Sequence, residues 1–441
     1  MKKFVIVILF FAIAWQSNAQ EKKWTLQECV SHALANNISV KQSALDVDLA
    51  DIEKSDAIGN FLPTFNARSS VSENTGLSFN PTTGNAETAT FLSASGGISV
   101  GYTLFDGLRN FKQLQRADIS KLASQYRLSK MQDDISLLVA NGYLRILLNR
   151  ANLEAVESQN AVTIEQISRT NDLVDAGVLP RGDLLEIEAI DASEKQRIAV
   201  AENDVTISLI SLAQLLRVED YENFNIADED FNIIDEGISA KDVSEIITSA
   251  QESRSEVKIA QQNLELAQKD FQIARGAYFP TVSAFFGYDT RYTDSNPLGF
   301  SEQIYINDGV NYGLSLNVPI LNGFSVRNNV KRNKINIDRS QYQLDQAKLD
   351  LESTVYQAHV DAKGALKAYE AAQKAIVSQE LAYQYAKDRY DVGLTNAFDF
   401  SQSKLRYDSA KIEMNRTKFD YIFKLKVLEL YFGIPATELK F

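Results

Sequence analysis

The residues best equipped for chemistry in this chain are acids, and they stand in matched places. Asp183 lies six residues after Gly177, in the run Asp175-Ala176-Gly177-Val178-Leu179; Asp399 lies six after Gly393, in Asp391-Val392-Gly393-Leu394-Thr395. Three residues further on stand Glu186 and Gln402. Asp183-Leu184-Leu185-Glu186 and Asp399-Phe400-Ser401-Gln402 both fit a capping box, in which side chains satisfy the free backbone amides of a helix start. The glycines read as left-handed helix ends. His32 and His359 are the only histidines, and neither stands in a His-Glu-x-x-His pattern. Neither a Gly-x-Ser-x-Gly nucleophile elbow nor a phosphate-binding Gly-x-x-x-x-Gly-Lys loop is expected. The single cysteine, Cys29, forms no intrachain disulfide and leaves no cysteine cluster for a metal. No enzyme, cofactor or metal is therefore expected.

The acids belong to a repeat of about 216 residues, and an internal duplication constrains the architecture more than any single motif. Asn60-Phe61-Leu62-Pro63-Thr64 answers Ala277-Tyr278-Phe279-Pro280-Thr281, and Tyr102-Thr103-Leu104-Phe105-Asp106-Gly107 answers Val318-Pro319-Ile320-Leu321-Asn322-Gly323. Each copy reads as helix, strand pair, very long helix, tight turn, helix. The organisation expected is a signal peptide over 1–19, a first repeat over 20–217, an acidic connector over 218–240, a second repeat over 241–433 and a short tail over 434–441. The signal rests on Lys2-Lys3, an apolar run from Phe4 to Ala14 and the small residues Ser17-Asn18-Ala19. No later segment resembles a transmembrane helix. The net charge of −13 disfavours a nucleic-acid partner.

A helical pattern runs from Trp24 to about Asn60 and ends before Pro63, which turns the preceding residue extended. From Leu108 to about Asp175, and from Ser325 to about Asp391, only Gly142 and Gly364 interrupt helical sequence, so each helix would be roughly 100 Å long. Ala358, Ala362, Ala365, Tyr369, Ala372, Ile376, Gln379, Tyr383, Ala386 and Tyr390 step by threes and fours, a heptad seam for helix against helix. The first-copy counterparts include Gly142, Ile146, Leu153, Val156, Ile167 and Val174. Between Pro63 and Gly107, and between Pro280 and Gly323, the period falls to two. Val310, Tyr312, Leu314, Leu316, Val318 and Ile320 face one way; Asn311, Gly313, Ser315 and Asn317 face the other.

Each copy thus supplies two alternating strands long enough for a membrane barrel, and the chain supplies four. Four strands cannot close a cylinder, and an open edge is not tolerated in lipid, where unpaired backbone groups find no water. Several chains would have to share one barrel, with long helices reaching out from it. Here the chain resembles the TolC-like outer membrane efflux proteins. The resemblance is carried by Trp24-Thr25-Leu26-Gln27-Glu28-Cys29-Val30 with Ala33-Leu34-Ala35-Asn36-Asn37, the strand starts at Pro63 and Pro280, the strand exits at Gly107 and Gly323, and the two Val-Gly-type hairpins.

The resemblance implies a mainly α fold with a membrane β-barrel contribution: a homotrimer whose chains each give four strands and long coiled-coil helices. It implies location in the Gram-negative outer membrane, in contact with its lipid and with a large periplasmic portion. The function implied is a passive exit duct, served by an inner-membrane pump and a periplasmic adaptor. It further implies that Asp183 and Asp399 are acidic positions of a closing tip, with Tyr390 contacting the first-repeat aspartate. Gly177, Leu179, Gly393 and Leu394 would meet the adaptor. The chain departs from the family pattern at Thr395, where an arginine is usual, and at Gln402, where a second acid is usual; Glu186 restores charge from the first copy. The alternative architecture is a periplasmic coiled-coil adaptor or scaffold without a pore.

Overall fold

The computed structural model describes residues 23–79, 84–228, 237–238 and 241–434. The expected signal peptide, much of the connector and nearly all of the tail lie outside them. Two compact units are formed: one by residues up to Ala44 with Arg127–Val257 and the chain from Lys348 onward, the other by Leu45–Tyr126 with Lys258–Ala347.

The first helical stretch is not continuous. A two-residue strand β1 (Lys23–Trp24) precedes α1 (Leu26–Asn36), and α2 (Ile38–Gly59) follows. Thr25 and Glu28 complete a capping box at the start of α1. At Asn37 the backbone turns extended, with φ −60° and ψ 136°. Its side-chain amide donates to the Leu215 carbonyl at 3.0 Å and accepts from the Ser39 amide at 2.9 Å. A short polar side chain competing for backbone partners breaks a helix without disturbing the apolar period, so the pattern alone reads straight through it.

The second unit is organised by a four-stranded antiparallel sheet of β2 (Thr64–Phe79), β3 (Ala86–Phe105), β5 (Thr281–Thr293) and β6 (Gly309–Asn317), in the order β2-β3-β5-β6. Its register aligns the apolar alternation of all four strands. Phe65 pairs with Val100, Val100 with Phe286 and Phe286 with Tyr312; one row along, Ala67, Ile98, Tyr288 and Val310 do the same. On the opposite face Ser70 pairs with Ser95 and Asn74 reaches Ser93. The apolar face is uncovered: Phe65, Tyr312, Leu314 and Leu316 are 66–79% exposed. Before Ser93, β3 pairs only with β2. β6 stops at Asn317, short of the expected Val318 and Ile320, because Pro319 has no N–H to extend the ladder. The run Gly97-Ile98-Ser99-Val100-Gly101 spells a Gly-x-Ser-x-Gly motif, but it lies within β3, paired on both sides, and not at a strand-to-helix turn.

The two repeats leave the sheet by the same device. Gly107 and Leu108 both have positive φ (76° and 64°), as do Gly323 and Phe324 (58° and 64°). After each pair a helix of 67 residues begins: α3 (Arg109–Asp175) and α8 (Ser325–Asp391). The return helices are α4 (Arg181–Leu216) and α9 (Ala397–Phe432), each of 36 residues.

The core of the first unit gathers Cys29, Ala33, Tyr143, Ile146, Leu212, Leu216 and Ile226. The connector contributes β4 (Asn225–Ile226), which pairs in parallel with β1. Tyr143 donates its hydroxyl to the Ala227 carbonyl at 2.8 Å, holding this ribbon to α3. Two short helices, α5 (Val243–Ser253) and α6 (Ser255–Gly276), lead into the second strand pair, and α7 (Phe300–Ile306) lies between β5 and β6. Contrary to expectation, one later helix, α4, is long and apolar enough by composition to cross a membrane. Leu212, Ala213 and Leu216 at its end are buried in the core, which accounts for part of that apolar content.

Candidate functional site

The two helical hairpins turn alike. In the first, the Gly177 amide donates to the Val174 carbonyl and the Val178 amide to the Leu173 carbonyl; in the second, Gly393 donates to Tyr390 and Leu394 to Arg389. This is the Schellman arrangement, which needs a left-handed residue, and φ is 71° at Gly177 and 73° at Gly393. A Cβ at either position would meet open space, so backbone conformation is what calls for glycine. Leu394 is exposed at the turn, and Leu179 is half-buried.

The acids do not cap as their spacing predicts. The N-cap of α4 is Pro180, without a side-chain bond, and that of α9 is Asn396, whose side chain accepts from the Asp399 amide at 2.8 Å. Asp183 and Asp399 therefore sit within the first turns, where a carboxylate favours the positive end of the helix dipole. The box is displaced by three residues because the helices begin earlier than the acids suggest. Thr395, in the place of the family's arginine, donates its hydroxyl to Asp399 at 3.3 Å.

Tyr390 is buried, and its hydroxyl pairs with Thr170 of α3 at 3.1 Å; the described contacts do not join it to Asp183. Its ring stacks on Phe400 with centroids 5.1 Å apart, in a cluster with Ile187 and Ala397. Burial of the ring in a helix-to-helix seam leaves the hydroxyl needing a buried polar partner, and Thr170 supplies it. The hairpins are also joined by Arg169, whose guanidinium lies 3.0 Å from the Asp391 carboxylate.

The second-copy seam is as expected, with Ala362, Ala365, Ala372 and Tyr390 buried and the rest of the stripe half-buried. The first-copy seam differs. Leu153, Ile167 and Val174 are only partly buried, while Val156, Gln159, Thr163, Gln166 and Thr170 occupy the buried heptad line. Against this polar stripe α9 presents Lys404. Its ammonium donates to the Gln159 carbonyl at 3.0 Å, to the Thr163 hydroxyl at 2.6 Å and to the Glu194 carboxylate of α4. Asn160 donates to the other oxygen of Glu194 at 3.2 Å. Asp408, one turn along α9, lies 4.0 Å from the ammonium. Burial pushes the Asp408 carboxyl up to about 6, with Lys404 opposing the rise. Tyr383, nearby on α8, is pushed up to about 12 by burial, with the charge of Asp408 adding to it.

Beside this cluster α3, α4 and α9 enclose a cavity of about 200 Å³, with Gln166, Glu186, Ile187, Gln402 and Asp408 among its walls. Glu186 and Gln402 are thus brought together. Asp183 and Asp399 do not line this cavity. The buried ions were not anticipated, yet a signal exists: Lys404 follows Ala397 by seven residues and Glu194 follows Ile187 by seven, so both continue a buried heptad line.

The family model for outer membrane efflux proteins matches residues 29–216 and 246–429. No curated protein matches the chain. Among solved structures it is similar to the Campylobacter jejuni CmeC outer membrane channel, at 18% identity and a TM-score of 0.80, over 92% of this chain and 85% of that one. The Vibrio cholerae outer membrane protein VceC is similar at 15% identity and a TM-score of 0.78, over 92% and 96%. The open state of the Neisseria gonorrhoeae MtrE outer membrane channel is similar at 19% identity and a TM-score of 0.71, over 92% and 88%. The fold is the mainly α, TolC-like one.

Proposed function

Because the chain belongs to the outer membrane efflux protein family, we infer that it is the passive outer-membrane exit duct of a tripartite efflux or type I secretion system. The carrying observation is the sheet: four strands in register, one face apolar and uncovered, and free edges at β2 and β6. In lipid the apolar face is satisfied and the free edges are not, so copies of the chain must complete the wall. Three copies give twelve strands, the trimer that the family resemblance implies. A soluble adaptor or scaffold would instead leave Tyr312, Leu314 and Leu316 to water.

The hairpin ends around Gly177, Leu179, Gly393 and Leu394 then form the periplasmic tip where adaptor and pump dock. Asp183, Glu186, Tyr390, Asp399 and Gln402 shape the constriction there, and carboxylate rings at such a tip select cations. Two experiments test this. Membrane fractionation should place the protein in the outer membrane as a heat-sensitive oligomer; recovery in the periplasmic supernatant refutes the duct. In planar bilayers, Asp183→Asn with Asp399→Asn should raise conductance or abolish block by multivalent cations, and unchanged conductance and block refute the acidic constriction.

A further inference from the structure

The ammonium of Lys404 has three hydrogens, and Gln159, Thr163 and Glu194 take all of them. Asp408, with its side chain 6% exposed, gains attraction from Lys404 at 4.0 Å but no hydrogen bond. No described donor bonds to it. Arg197 of α4, which lines the cavity as Lys404 does, and Lys411 of α9 favour its charge, and Glu194 opposes it. Glu186 of α4 lines the same cavity; Tyr383 of α8 and Tyr407 of α9 feel the charge of Asp408 and donate nothing to it. From α3 the cavity receives Thr163 and Gln166, neither of them titratable.

Gln166, a residue 5% exposed, also lines the cavity, and its buried amide nitrogen has no acceptor. The remaining walls include Val162, Ile187, Ile190 and Leu405. A largely buried carboxylate without a hydrogen-bond donor, beside a pocket with an apolar wall, is costly unless something completes it.

We propose that the cavity between α3, α4 and α9 binds a small amphipathic organic cation. Its ammonium donates to Asp408, and its apolar body lies against Ile187, Ile190 and Leu405. The cavity of about 200 Å³ suits a ligand of a single ring with a short amine arm. Nothing in this depends on what passes through the proposed duct. A proton competes for the same carboxylate, so binding weakens in acid.

The probe is phenethylammonium, titrated into the full-length protein in lipid nanodiscs and followed by saturation-transfer NMR. Phenethyl alcohol serves as the neutral counterpart, a test of Asp408 that needs no variant. Saturable binding is expected at about pH 7.5 and about tenfold weaker binding near pH 5, where a carboxyl titrating at about 6 is mostly protonated. The alcohol, and the ammonium on Asp408→Asn, should each bind at least about tenfold more weakly, as loss of a charge-assisted hydrogen bond requires. Ile190→Trp fills the cavity, leaves Asp408 in place and should abolish binding. Equal binding of amine and alcohol, undiminished binding to Asp408→Asn or Ile190→Trp, or no saturable binding of the amine overturns the proposal.

Discussion

Lys404→Met should loosen the hold of α9 on the first hairpin, and the size of the effect follows from the contacts. Lys404 and Glu194 have side chains 6% and 5% exposed, and the ammonium joins α9 to α4 through Glu194 and to α3 through Thr163 and Gln159. Removing one partner of a buried ion pair costs about 3–5 kcal/mol, because the remaining charge stays desolvated. At about 1.4 kcal/mol per decade, the locally open population of α9 should rise by about a hundredfold to a few thousandfold. Hydrogen exchange reads this directly, as faster exchange of α9 amides around Lys404 with the α1 amides as internal control. Without the ammonium, Asp408, already up at about 6, is pushed higher still in the folded state. A carboxyl raised on folding loses stability as pH rises, so the penalty should be larger near pH 7.5 than near pH 4.5. Adding Glu194→Gln removes the stranded charge and should restore more than half of the loss. A change below about tenfold, equal acceleration in α1, or no relief from Glu194→Gln would refute the reasoning.

Asp408→Asn tests the same cluster from the acid side. With a usual value of 3.8 and a folded value of about 6, the folded protein holds the proton more tightly, so stability falls as pH rises between about 4 and 6. The variant should gain up to about 3 kcal/mol near neutrality and nothing near pH 4, measured by thermal unfolding at each pH; no gain near neutrality would contradict the assignment. Tyr390→Phe removes the hydroxyl bonded to the fully buried Thr170 at 3.1 Å and should cost about 1–3 kcal/mol, seen as faster exchange near the end of α8. Gly107→Ala should impair folding far more than Gly323→Ala. A Cβ at Gly107 would stand 2.3 Å from the Gly276 carbonyl oxygen, whereas Gly323 has open space and only its φ of 58° to satisfy, worth about 1–2 kcal/mol; comparable folded yields would contradict the contact.

Much of the fold was legible because its periods are long. The helices α3 and α8 begin within a residue of where helical sequence was read to start, and both end at the predicted aspartates, because a Schellman turn has a glycine signature. The sheet alternation was legible for the same reason. What escaped was local competition: Asn37 diverts a helix by binding the Leu215 carbonyl, and Pro180 and Asn396 take the capping positions that Asp183 and Asp399 were expected to hold. Single polar residues act there through partners distant in the chain or through a start shifted by one turn, neither of which leaves a period.

The sequence by itself determined the duplication, the two long helices, the alternating strands and, through the shortage of strands for closure, the need for further chains. Those follow from repeats and periods, which are properties of the chain read in order. Only the tertiary structure decided which polar residues lie inside. Lys404 and Asp408, four apart on one helix, read as an ordinary surface pair until α3 and α4 cover them. Burial is decided by what another helix brings to the contact, and that is where the carboxylate without a hydrogen-bond donor and the cavity beside it arise.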